Sequence, residues 1–121
     1  MIFISGNVPS SKNSKQWTGK CLINSKTVQK YLKLYAYQFQ LPRNRNEFKH
    51  KLEGKEKPYK IGFYFVRDSK RRFDYINAAQ LPFDLMTQYN WIDDDNANEI
   101  IPVFLGYEVD KNNPGVRIEV L

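Results

Sequence analysis

At 121 residues, with 41% hydrophobic and 15% aromatic side chains, the chain is sized for one domain, residues 1–121, around a small core. Its single cysteine, Cys21, excludes an internal disulfide, and no apolar run approaches the roughly 20 residues that cross a bilayer, so a cytoplasmic protein with no membrane partner is expected. The net charge of +6 conceals a division, since residues 1–72 carry 17 Lys or Arg against 4 Asp or Glu and residues 73–121 carry 2 against 9.

The opening Met1-Ile2-Phe3-Ile4-Ser5-Gly6 lacks the basic start and long apolar stretch of a signal peptide and reads as a strand over about 2–7, ended by Gly6-Asn7 and Pro9. A polar loop from Ser10 to Gly19 follows. Val28, Tyr31, Leu32, Tyr35, Ala36 and Phe39 recur at helical spacing, Ser25 can cap them and Pro42 stops them, which predicts an amphipathic helix over about 26–40 with Lys26, Lys30 and Lys33 outward. Residues 43–57 are charged and aperiodic, as in a loop or a frayed helical extension. A strand over about 59–67 places Ile61, Phe63 and Phe65 on one face. A helix over about 77–89 must tolerate Pro82, which cannot donate to the carbonyl four residues back. Finally, residues 100–109 and 116–121 flank the turn-forming Asp110 to Gly115 and predict an antiparallel hairpin. The order β-α-β-α-β-β suits an α+β domain with two main helices on one mixed sheet.

Five carboxylates fall between residues 74 and 95: Asp74, Asp84, Asp93, Asp94 and Asp95. Adjacent carboxylates repel unless they are solvated, face a basic group or share a cation. A helix that doubles the chain back would let Asp74 and the 93–95 run converge, and oxygen ligands of this kind suit Mg²⁺ or Mn²⁺. Isolated Cys21 and His50 do not suggest zinc. Beside these acids the basic residues, Lys12, Lys15, Lys20, Arg71 and Arg72 among them, are placed to contact phosphates without reading sequence. Trp17 and Tyr31 are the aromatics considered for stacking on an unpaired base; Tyr35, Tyr37, Phe39, Phe63 and Phe65 are expected to pack.

Several stretches, in order, carry a family likeness: Ile4-Ser5-Gly6-Asn7-Val8-Pro9-Ser10-Ser11-Lys12-Asn13, then Arg67-Asp68, Arg71-Arg72-Phe73-Asp74-Tyr75-Ile76-Asn77, Asp84-Leu85-Met86, Trp91-Ile92-Asp93-Asp94-Asp95 and Pro114-Gly115-Val116. On these the chain resembles the RusA family of Holliday-junction resolvases, in particular phage-type RusA-like endodeoxyribonucleases. The resemblance implies a homodimeric α+β protein of a bacterial host cell, phage- or prophage-encoded, that binds branched DNA and cleaves it with Mg²⁺ in recombination or repair. It also implies that Asp74 and Asp94 are catalytic metal ligands. Asp93, Asp95 and Asp84 are further candidate ligands, and Lys12, Asn13, Lys15, Lys20, Arg71, Arg72 and Asn77 are the expected DNA contacts.

The chain departs from the family pattern where chemistry is concerned. Asp74-Tyr75-Ile76-Asn77 has isoleucine in place of a second carboxylate, and Gln80 stands where a lysine is usual. Either Asp84, Asp93 or Asp95 supplies the missing ligand, or the protein binds branched or single-stranded DNA with little or no cleavage. If the metal site forms, Asp74 and Asp94 should approach one another and Ile76 should be buried away from them.

Overall fold

In the computed structural model, residues 1–10 and 25–121 are described in full, and between them only the backbone pairing of two short strands, β2 (Lys15–Trp17) and β3 (Leu22–Asn24). The remaining elements are β1 (Ile2–Ser5), α1 (Lys26–Leu34), α2 (Tyr37–Gln40), α3 (Pro42–Leu52), β4 (Tyr59–Arg67), α4 (Tyr75–Gln88), β5 (Ile100–Val109) and β6 (Gly115–Val120). β2 and β3 pair only with each other, and the other four strands form one mixed sheet in the order β1-β6-β4-β5. The fold is α+β, as the sequence pattern indicates.

One face of that sheet makes the core. Ile2, Ile4, Ile61, Phe63, Phe65, Val116 and Ile118 occupy matching register positions and are buried, as period-2 alternation requires of a sheet covered on one side. Helix α4 lies on them through Ala78, Ala79, Phe83 and Met86, with Phe83 meeting Phe63 edge-on at a ring separation of 4.7 Å. Trp91, just past α4, is fully buried between Phe39 of α2 and Phe48 of α3, and its indole N–H donates to the Phe39 carbonyl at 2.8 Å. That contact fixes where the following acidic segment leaves the helix.

The helical region differs from the sequence expectation in two ways. The 26–40 helix is divided at Tyr35, where the Gln38 side chain donates to the Tyr35 and Ser5 carbonyls and accepts from the Ser5 N–H, tying α2 to the end of β1. Gly6, at φ 109°, follows that strand and leaves the Tyr35 ring room that a Cβ would fill. Pro42 ends one helix and also starts the next, because its fixed φ and missing N–H suit a first helical position. The charged stretch 42–52 is therefore regular helix with only Phe48 buried, which explains its weak periodicity.

The expected hairpin of the last two strands is not formed. β4 lies between them, antiparallel to β6 and parallel to β5, and α4 is the crossover that a parallel pair needs. The Asp110–Pro114 turn spans the end of β4, with the Asp110 N–H donating to the Arg67 carbonyl at 2.9 Å. The burial sequence of β4, nearly all apolar, explains why it takes the centre. β5 is thus an edge strand. No helix among the described residues is long and apolar enough to cross a membrane.

Candidate nucleic-acid and metal-binding surface

The crossing from β4 to α4 carries the first group of site residues. Arg67 ends the strand, Arg71 and Arg72 are exposed on the connection, and Asp74 is the N-cap of α4. The Asp74 side chain makes no capping bond with the helix backbone; among the described residues its exposed carboxylate accepts from the Asn77 amide alone, at 3.3 Å. Tyr75 turns the other way, stacking on Phe104 at 5.2 Å, and Ala78 and Ala79 are buried beneath it. That orientation puts position 76 on the outer stripe of the helix with positions 80 and 84. Ile76 is accordingly 75% exposed, contrary to the expectation that it would be buried. On the same stripe the Gln80 amide donates to Asp84 at 2.9 Å.

The second group lies past the far end of α4. Asp93 accepts from Lys57 at 2.9 Å, and Lys57 also meets Glu99 at 2.6 Å. Lys57 holds the Asp93 carboxyl below its ordinary pKa, and the paired acids hold the lysine above its own. The Asp95 backbone N–H, at 2.8 Å, and the Asn96 amide, at 3.0 Å, lower Asp94 in the same way. Asp95 moves upward, first through partial desolvation, then through Asp94, with Asp84 adding to it.

These two groups do not meet within one chain. Lys57, which fixes Asp93, precedes β4, whereas Asp74 follows it, and nine strand residues span about 30 Å at ~3.3 Å each. Asp84, the neighbour of Asp95, is likewise about 15 Å from Asp74 along the helix axis at 1.5 Å per residue. Asp74 and Asp94 therefore do not converge as the sequence led us to expect, since β4 and α4 each span the distance between them. Among the described residues no three His, Cys, Asp or Glu side chains are grouped to hold a metal. A Mg²⁺ site as the resemblance implies it does not fit the residues of a single chain.

Among the described residues, basic side chains border a cleft at each end of β4. Lys49 and Lys57 border Asp93 in a cleft at the start of β4. Arg67, Arg71 and Arg72 line another at its end, with Asn7, Val8, Pro9, Ser10, Thr27 and Asp68, enclosing about 440 Å³. Lys12, Asn13 and Lys20 lie outside the described residues, and of Lys15 and Trp17 only the strand backbone is described. Tyr31 is buried and cannot stack on a base, whereas Tyr37, expected to pack, is 57% exposed. Arg67 was not singled out from the sequence as a binding residue, although an arginine closing an apolar strand is the signal that would have found it. No protein-family model and no curated protein matches the chain.

Proposed function

We propose that the protein binds branched DNA and cleaves it with the help of Mg²⁺ or Mn²⁺ as a two-fold symmetric dimer, in the cytoplasm of a bacterial host cell. The observation that carries this reading is the placement of Asp74, which is exposed, has no ion-pair partner among the described residues and follows Arg71 and Arg72 with only Phe73 between. A carboxylate without a cationic partner, close in sequence to arginines that attract phosphate, suits metal-assisted phosphodiester cleavage. The apolar edge of β5 supports the dimer: Ile101, Leu105, Tyr107 and Val109 are exposed along it, with Ile76 exposed on the helix alongside. Unpaired apolar edges associate unless something covers them.

A second reading, a branched- or single-strand-binding protein without cleavage, is favoured by Ile76, which is exposed where the family pattern has an acid. A labelled four-way junction and a linear duplex, each incubated with protein in Mg²⁺, Mn²⁺ or EDTA, separate the two. Metal-dependent cutting of the junction that Asp74→Asn abolishes, with binding retained, is the result expected from the first reading. Tight junction binding with no cutting in any metal selects the second, and then Ile76→Asp combined with Gln80→Lys tests whether the missing groups are the cause.

A further inference from the structure

Among the described residues, Arg67 is the one buried charged side chain. The residue is 8% exposed, its Nη1 donates to the Val8 carbonyl and its Nη2 to Ser10 Oγ, at 2.6 and 3.3 Å, and its plane lies 4.6 Å from the Phe73 ring centre. No carboxylate among the described residues is within ion-pair distance of it. Asp68 acts on it only from further off, and desolvation lowers its affinity for the proton. A buried cation with neutral partners alone is costly unless an anion completes it.

The surroundings are arranged for that anion. Arg67 lines the cleft that Arg71 and Arg72 border from the β4–α4 connection. Thr27, which also lines the cleft, is the second residue of α1. Ser25 Oγ accepts the Val28 N–H, which leaves the N–H groups of Lys26 and Thr27 without a partner inside the helix at its positive end.

We propose that this cleft is a phosphate-binding site in which Arg67 is the fixed anchor, Arg71 and Arg72 are the outer contacts, and the first turn of α1 supplies backbone donors. It rests on the DNA-binding reading only for the source of the phosphate: a strand's backbone phosphodiester and a free phosphate or mononucleotide present the same group. A strand engaged here would be held at the Asp74 end of the sheet and not at the Asp93–Asp95 end.

The test uses the full chain in EDTA, so that loss of cleavage and loss of binding are distinguishable. Inorganic phosphate is titrated against the protein while the Thr27 amide and Arg67 side-chain N–H resonances are followed by NMR, and binding of a labelled four-way junction is measured by anisotropy. Thr27→Glu places a carboxylate in the cleft at a position where helices accept one, so the fold should survive. It should remove the phosphate-induced shifts and weaken junction binding at least tenfold. Asn46→Glu, an equal charge change on the exposed side of α3, should do neither. Arg67→Lys keeps the charge, and its reduced response would confirm that the guanidinium's geometry matters. Phosphate shifts that Thr27→Glu abolishes without affecting junction binding would assign the site to a free phosphate or mononucleotide. Absence of shifts at both Thr27 and Arg67 up to millimolar phosphate, with junction affinity unchanged in Thr27→Glu, would overturn the proposal.

Discussion

Trp91 and Asp93 are two residues apart and hold the same segment by opposite means. Trp91 is fully buried against Phe39 and Phe48 and gives its N–H to the Phe39 carbonyl, so Trp91→Ala opens a cavity and orphans a buried acceptor. A loss of about 3–5 kcal/mol is expected in urea unfolding, with Trp91→Phe losing less. Asp93 is exposed and held by Lys57. Because its folded pKa is depressed, the stabilisation is present above the ordinary carboxylate pKa and is lost as pH falls through the lower folded value. The urea midpoints of the parent and Asp93→Asn should therefore differ slightly at pH 7 and draw together as pH falls below the ordinary carboxylate pKa. A difference that does not shrink as pH falls below the ordinary carboxylate pKa would mean that the Lys57 pairing is not its source.

The informative elements are β4, α4 and β5. β4 and β5 are parallel, and α4 returns between them, so the start of α4 sits by the far end of β5, where Phe73 meets Tyr107 at 5.0 Å. β5 is left with one unpaired edge and four exposed apolar side chains. A lysine there adds charge to an edge that must stay apolar to pair, yet disturbs little of the core. Leu105→Lys and Ile101→Lys are expected to leave the circular dichroism spectrum unchanged while converting a dimer to the 14.3 kDa monomer in light scattering. If the parent is already monomeric at micromolar concentration, the edge is not a dimer contact.

At the scale of the whole molecule, the separation of Asp74 from Asp93–Asp95 acquires a meaning if two copies pair their β5 edges about a two-fold axis. The two α4 helices then run antiparallel, and Asp74 of each copy faces the acidic segment of the other, so that a site incomplete in one chain is completed by two. Mixing experiments read this directly. Asp74→Asn and Asp94→Asn proteins should each be inactive as nucleases alone. Mixed in equal amounts and allowed to exchange, half of the dimers are heterodimers with one intact site, and about a quarter of the parental nicking should return. Sites contained within one chain would give no recovery, since every site in the mixture would lack one aspartate.

Local chemistry in the sequence accounted for the strand at 59–67, the Ser25 cap, the α+β class and the position of the acidic turn, because side-chain periodicity and caps act over a few residues. Pro42 was legible as a boundary but not as a beginning, since a helix that buries only Phe48 leaves almost no periodic trace. Which strands pair was decided by tertiary structure: β4 took the centre because it is the strand with most to bury, and the turn after β5 was long enough to pass over it. The same holds for the site. A helix that doubles the chain back suggested that Asp74 and Asp94 meet, whereas the length of α4 and the Lys57 anchor place them at opposite ends of the sheet, and burial left Arg67 with hydrogen-bond partners that are all neutral among the described residues. Residue types are written in the chain, but distances between side chains far apart in sequence depend on packing, which only the folded molecule fixes.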